Sequence, residues 1–182
     1  MAQAPVTNDA ETEQTLTCLH LRMYHPQQHS KQIFKSIKVG HRQEIKAEEV
    51  VTFGRDFKIC NYPLLSSTAS RIQFSLEFFK PFQSGTTAFA IKNLSKKYKL
   101  SVDHLELDYL NKKDLPDTCL IRFGEFQILA EKEDGESENM FEICCEVSRT
   151  PLFQEHVRVP IPENGALNGA APIAEEVDEN EL

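Results

Sequence analysis

Three short stretches carry residue types that could hold a phosphate: Phe53-Gly54-Arg55, Ser70-Arg71-Ile72-Gln73-Phe74 and Ile91-Lys92-Asn93-Leu94-Ser95. A phosphorylated threonine brings about −1.5 to −2 charges and three acceptor oxygens, best met by a guanidinium, a hydroxyl, an ammonium and an amide in one shallow site. Arg55, Ser70, Lys92 and Asn93 supply that mixture, with Gly54 and Arg71 beside them. Each charge-assisted hydrogen bond contributes roughly 1.5–3 kcal/mol, so three or four set the affinity near micromolar after the cost of association. The plainer alternative for Ser70-Arg71 is a turn cap with a surface ion pair.

These stretches form one site only if they end neighbouring strands. Between Thr15 and Ser148 apolar residues repeatedly recur with period two, the mark of strands that bury one face. Thr15, Thr17, Leu19, Leu21 and Met23 line a first strand; Ile33, Ile37 and Val39 a second; Val50 to Phe53 a third, which Gly54 breaks. Ile72, Phe74, Leu76 and Phe78 alternate in a fourth, and Phe89 and Ile91 in a fifth. Cys119, Ile121 and Phe123 follow, then Phe126 and Ile128 after Gly124, and finally Phe141, Ile143, Cys145 and Val147. Polar turns at Pro63 to Ser70, Gln83 to Thr86 and Glu133 to Glu136 separate them, so the expected fold is an all-β sandwich of Greek-key type. In such a sandwich Arg55, Ser70, Lys92 and Asn93 lie where strands end and can gather at one edge.

Composition narrows the function classes. The net charge of −8 divides into −3 over residues 1–14, −6 over residues 150–182 and +1 over the middle. Acidic arms around a near-neutral body make nucleic acid a poor partner. No apolar run approaches the roughly 20 residues that span a bilayer, and the start lacks the features of a secretory signal, so a cytoplasmic protein without membrane contact is expected. Cys18, Cys60, Cys119, Cys144 and Cys145 are odd in number with no CxxC spacing, which favours reduced thiols and neither disulfide, metal nor other cofactor. Nucleophile-elbow, zinc-helix and Walker motifs are missing, so an enzyme is not expected. The six histidines read as exposed, and Asp103, Glu106 and Asp108 as solvated loop carboxylates. The lysines from 92 to 99 read as a solvated edge or an import signal, and Cys144-Cys145 as one core and one surface residue. Residues 1–14 and 150–182 read as flexible arms flanking a domain of residues 15–149.

Gly-Arg closing one strand, Ser-Arg about fifteen residues later and a polar loop containing Asn after a further strand resemble the forkhead-associated (FHA) domain over residues 15–148. That resemblance implies an FHA-type (SMAD/FHA) antiparallel β-sandwich of about eleven strands whose loops bind phosphothreonine, here through Gly54, Arg55, Ser70, Arg71, Lys92 and Asn93. Gln73 stands where the family has His, and Lys96-Lys97-Tyr98 where it has Asn-Gly.

Segments Glu11–Leu19, Ser70–Leu76, Lys92–Lys97, Tyr109–Pro116 and Glu131–Ser137 further resemble a family of FHA adaptors that interact with TRAF-type ubiquitin ligases. This resemblance implies a cytosolic innate-immune adaptor upstream of NF-kappa-B. In such proteins an alpha-kinase phosphorylates an N-terminal threonine, matched here by Thr12, and the FHA domain of another copy binds it, converting a homodimer into higher oligomers. TRAF ligases take peptides of the form Pro-x-Glu-x-x-acidic or aromatic. In Ala174–Glu179, Glu176 and Glu179 match and Ala174 replaces the proline. Chain length agrees with binding between copies: about three residues of arm reach roughly 10 Å, against a domain some 30 Å across. The alternatives are an FHA reader of a different, nuclear phosphothreonine partner and a β-sandwich enzyme or small-ligand binder.

Overall fold

The computed structural model describes residues 13–152, so Thr12, Glu176 and Glu179 lie outside the described residues. The strands are β1 (Thr17–Tyr24), β2 (Arg42–Lys46), β3 (Val51–Gly54), β4 (Tyr62–Pro63), β5 (Phe74–Phe79) and β6 (Ala88–Asn93). They continue with β7 (Leu100–Val102), β8 (Leu105–Leu107), β9 (Lys112–Asp114), β10 (Thr118–Phe123), β11 (Phe126–Glu133) and β12 (Met140–Val147). A seven-stranded sheet in the order β2-β12-β1-β11-β10-β7-β8 shares a core with a five-stranded sheet in the order β4-β3-β5-β6-β9. The all-β sandwich is as expected, except that two pairings, β1 with β12 and β3 with β4, are parallel. Among the described residues no helix is long and apolar enough to cross a membrane.

Alternation builds the core. In β5, Phe74, Leu76 and Phe78 face inward, while Ser75 and Glu77 lie opposite Lys92 and Ala90 of β6 on the other face. Two aromatic clusters stiffen the two ends. Phe53 stacks on Tyr62 and Phe74 at 4.8 and 4.5 Å, and Phe123 stacks on Phe126 at 4.8 Å. At the opposite end Phe78, Phe89 and Phe141 pack at 4.8–5.5 Å. Gly124 opens the tight β10–β11 turn with φ of 54°, a backbone region glycine enters without the Cβ penalty.

The sequence expectation fails where strands are short or at an edge. Ile33, Ile37 and Val39 do not form a strand: a one-turn helix α1 (Gln28–Lys31) and successive turns bury Ile33 and Ile37 and leave Val39 exposed. The second strand is instead β2, an edge strand whose only buried residue is Ile45, so it carries no alternation signal. Pro63 belongs to β4 rather than to a turn, a position an edge strand allows because no ladder needs its missing N–H. Cys144 is buried along with Cys145, contrary to the core-and-surface assignment. Burial pushes the Cys18, Cys119 and Cys145 thiols up to about 12, so they stay protonated near neutral pH.

His25 is also buried, against the expectation that all histidines are exposed. Its ring packs edge-on against Phe126 at 4.5 Å, and Nδ1 accepts the Gln27 N–H at 3.1 Å. The neutral proton therefore sits on Nε2, a buried donor without a partner among the described residues. Burial holds this imidazole below the ordinary histidine range. The unfolded chain binds that proton first, so stability is complete above about pH 6.5 and falls as pH drops toward the folded value. His25→Phe is expected to flatten the fall in thermal midpoint between about pH 7 and 5 relative to the natural chain. Identical slopes in melting curves would contradict the assignment.

Candidate functional site

Backbone contacts between the end of β3 and the segment leading into β5 build the site. The Arg55 N–H donates to Ser70 O at 2.9 Å, Asp56 N–H to Arg71 O at 3.1 Å, and Gln73 N–H to Phe53 O at 2.7 Å. The segments approach so closely that a Cβ on Gly54 would lie 2.3 Å from Arg71 O and 2.8 Å from Ile72 Cα. Gly54 thus acts through its missing side chain. Arg55 donates Nε to Ala69 O at 3.0 Å, which sets the guanidinium beside Ser70 and leaves two terminal nitrogens to offer a ligand.

Ser70 is wired to a residue that sequence reasoning missed. Its Oγ lies 2.7 Å from the Oγ of buried Ser95, which accepts the Lys97 and Tyr98 N–H groups at 3.1 and 3.0 Å. With both lone pairs occupied, Ser95 donates its proton to Ser70 Oγ, and Ser70 keeps its own for an outside acceptor. Behind it, the Ser70 N–H donates to Gln73 Oε1 at 2.9 Å. Gln73 is fully buried, so through that bond it positions Ser70 from within; its Nε2 has no partner among the described residues.

Lys92 and Asn93, adjacent in β6, point to opposite faces of the strand. Asn93 is 0% exposed. Its Nδ2 donates to Leu107 O at 2.9 Å and Tyr98 O at 3.3 Å, and its Oδ1 accepts the Ser95 N–H at 3.0 Å. Through these bonds the amide shapes the loop that carries Ser95. Lys92 lies across from Ser75 and Lys112 on the outer face, two residues before Leu94 on that same face.

A shallow cleft of about 400 Å³ is lined by Ser70, Arg71, Ile72, Leu94, Lys96, Lys97 and Tyr109. Lys96 Nζ lies 5.2 Å from the Tyr109 ring centroid and Lys97 Nζ 5.3 Å from that of Tyr98, within cation–π range. Arg71 pairs with Asp56 at 3.1 Å, and the Lys58 N–H followed by Arg71 holds that carboxyl below its usual range. The structure therefore brings Arg55, Ser70 and Arg71 together and adds Ser95, Lys96 and Lys97. Of the lysines from 92 to 99, expected to form a solvated edge or an import signal, Lys96 and Lys97 line the cleft.

The model of the FHA domain family matches residues 51–124. The chain is 56% identical over 178 residues to the TRAF-interacting protein with FHA domain-containing protein A of Xenopus tropicalis, covering 96% of this chain and 98% of that one. The protein of the same name from Homo sapiens is 48% identical over 179 residues, covering 95% and 97%. The chain belongs to this family of TRAF-interacting FHA proteins. Among solved structures, the FHA domain of CT664 protein from Chlamydia trachomatis aligns with a TM-score of 0.45 at 12% identity, covering 62% of this chain and 95% of that one.

The FHA match runs from the start of β3 to the turn after β10 and contains every cleft residue named above. The loop carboxylates have local partners. Asp103 Oδ1 accepts the Leu120 N–H at 2.9 Å, and Glu106 and Asp108 lie 3.5 and 4.0 Å from Lys99 Nζ.

Proposed function

We propose that this chain is a cytoplasmic, phosphothreonine-dependent signalling adaptor and not an enzyme. Its arm of residues 1–14 presents Thr12 to an alpha-kinase, and the FHA domain of residues 15–149 in another copy binds the phosphate through Arg55 and Ser70, with Lys92 nearby. The resulting growth from homodimer to larger assemblies gathers the acidic segments of residues 150–182, where Glu176 and Glu179 engage a TRAF-family ubiquitin ligase toward NF-kappa-B signalling. Many copies raise the effective concentration of a segment that carries Ala174 in place of proline.

One observation carries the reading: the arm's root and the cleft sit at opposite ends of β6. Thr17, at the start of β1, hydrogen-bonds Thr87 just before β6 at 2.8 Å between their Oγ1 atoms, whereas Ser95 lies just past the end of that strand. Eight residues at about 3.3 Å each put these ends some 26 Å apart. Thr15 is held by the Glu136 and Ser137 N–H groups, and the three residues back to Thr12 reach only about 10 Å. Phosphothreonine 12 is therefore out of reach of its own cleft, and a contact that joins one end to the opposite end of the next copy propagates rather than closing.

The test mixes two full-length variants. Thr12→Ala keeps the cleft and lacks the ligand; phosphorylated Ser70→Ala keeps the ligand and lacks the hydroxyl. Neither is expected to assemble alone, and their mixture binds in light scattering. A mixture that stays at the starting masses would favour a reader of some other phosphoprotein.

A further inference from the structure

The charges around the arm's root and around the cleft have opposite sign, although residues 15–149 together sum to only +1. The Glu136 N–H donates to Thr15 O at 2.9 Å and also approaches Thr15 Oγ1 at 3.1 Å, so Glu136 stands at the point where the arm is tied to the body. A groove at the same place is lined by Glu13, Glu44 and Glu142 together with Gln14, Leu16 and Met140. Glu142 is paired with Arg42 at 3.3 Å, while Glu13, Glu44 and Glu136 are exposed. Lys46, opposite Met140 in the β2–β12 register, and Arg42, already paired with Glu142 and Glu133, are the bases of edge strand β2.

At the cleft the balance is reversed. Asp56 is matched by Arg71, while Glu106 and Asp108 share the single Lys99. Lys96 and Lys97 line the cleft itself and are exposed.

Tether length brings the two patches together. With its phosphate in a neighbour's cleft, Thr12 stands three residues from the tied Thr15, so the root is held within about 10 Å of that cleft. This is close to the Debye length of roughly 8 Å at physiological ionic strength, so exposed charges at root and rim interact. We infer that Glu44 and Glu136 at the root of one copy and Lys96 and Lys97 at the rim of the next form a second, body-to-body contact in the assembly. This rests on the proposed function and adds to it: the receptor recognises the neighbour's folded surface as well as its phosphorylated arm, which favours a second copy over an unrelated phosphopeptide of equal sequence.

The experiment compares full-length chains phosphorylated at Thr12, natural and with Glu44→Lys plus Glu136→Lys, by light scattering over a concentration series. The reversed chain is expected to need about tenfold higher concentration to assemble at low salt, with the gap closing as salt is added. A Glu44→Gln plus Glu136→Gln chain falls between, since the effect follows charge. A phosphopeptide of residues 8–14 binds all three chains alike, because the altered residues do not line the cleft. Equal assembly at low salt, with peptide binding intact, overturns the body-to-body contact and leaves the phosphothreonine reading standing. Failure of the phosphorylated natural chain to assemble overturns that reading, and this inference with it.

Discussion

Gly54→Ala loses about 3 kcal/mol of stability, with a thermal midpoint lower by roughly 10 °C, and loses the phosphate site as well. The clash is with backbone, since the new methyl carbon would stand 2.3 Å from Arg71 O and 2.8 Å from Ile72 Cα, so no rotamer change relieves it. Separating the two segments strains a tight set of bonds: Arg55 N–H to Ser70 O, Asp56 N–H to Arg71 O and Gln73 N–H to Phe53 O, all between 2.7 and 3.1 Å. The same movement carries Ser70 away from Arg55. Thermal unfolding followed by circular dichroism checks the first effect and phosphopeptide titration the second. A midpoint within a degree or two of the natural chain would show that the segments can part freely, contrary to the packing described.

Arg55→Ala weakens phosphopeptide binding about 100-fold while changing stability by less than about 1 kcal/mol. Arg55 is exposed, and among the described residues its guanidinium gives the fold only the Nε bond to Ala69 O, so its remaining donors are open to a ligand. Two charge-assisted hydrogen bonds to phosphate oxygens account for an effect of that size. Arg55→Lys keeps the charge but not the planar fork, and is expected to recover only part of the affinity. Full affinity in Arg55→Ala would move the phosphate away from this residue.

Legibility followed burial. The long strands β1, β5, β10, β11 and β12 have strongly buried inward faces, and their alternation stands out in the sequence. Edge strand β2 buries only Ile45, and β4 and β7 to β9 have two or three residues each, too few for any period to show. At the site, Gly54-Arg55 and Ser70 were legible because they interrupt or open an alternating run. Strand alternation itself separates Asn93 from Lys92. The Asn93-x-Ser95 spacing is a local turn signal that could have marked both as loop-shaping residues. Nothing local foretells that Ser95 meets Ser70, or that Phe126 covers His25. Both contacts arise when separate strands pack.

The central claim is that this cleft holds phosphothreonine 12, and calorimetric titration tests it most directly. The full chain carrying Thr12→Ala, which removes competition from its own arm, is titrated with peptides of residues 8–14 with and without phosphate on Thr12. The account predicts about micromolar binding of the phosphorylated peptide, no measurable heat from its unmodified twin, and loss of the signal when Ser70→Ala is added. Equal binding of both peptides, or phosphate-dependent binding that survives Ser70→Ala and Arg55→Ala together, would contradict it.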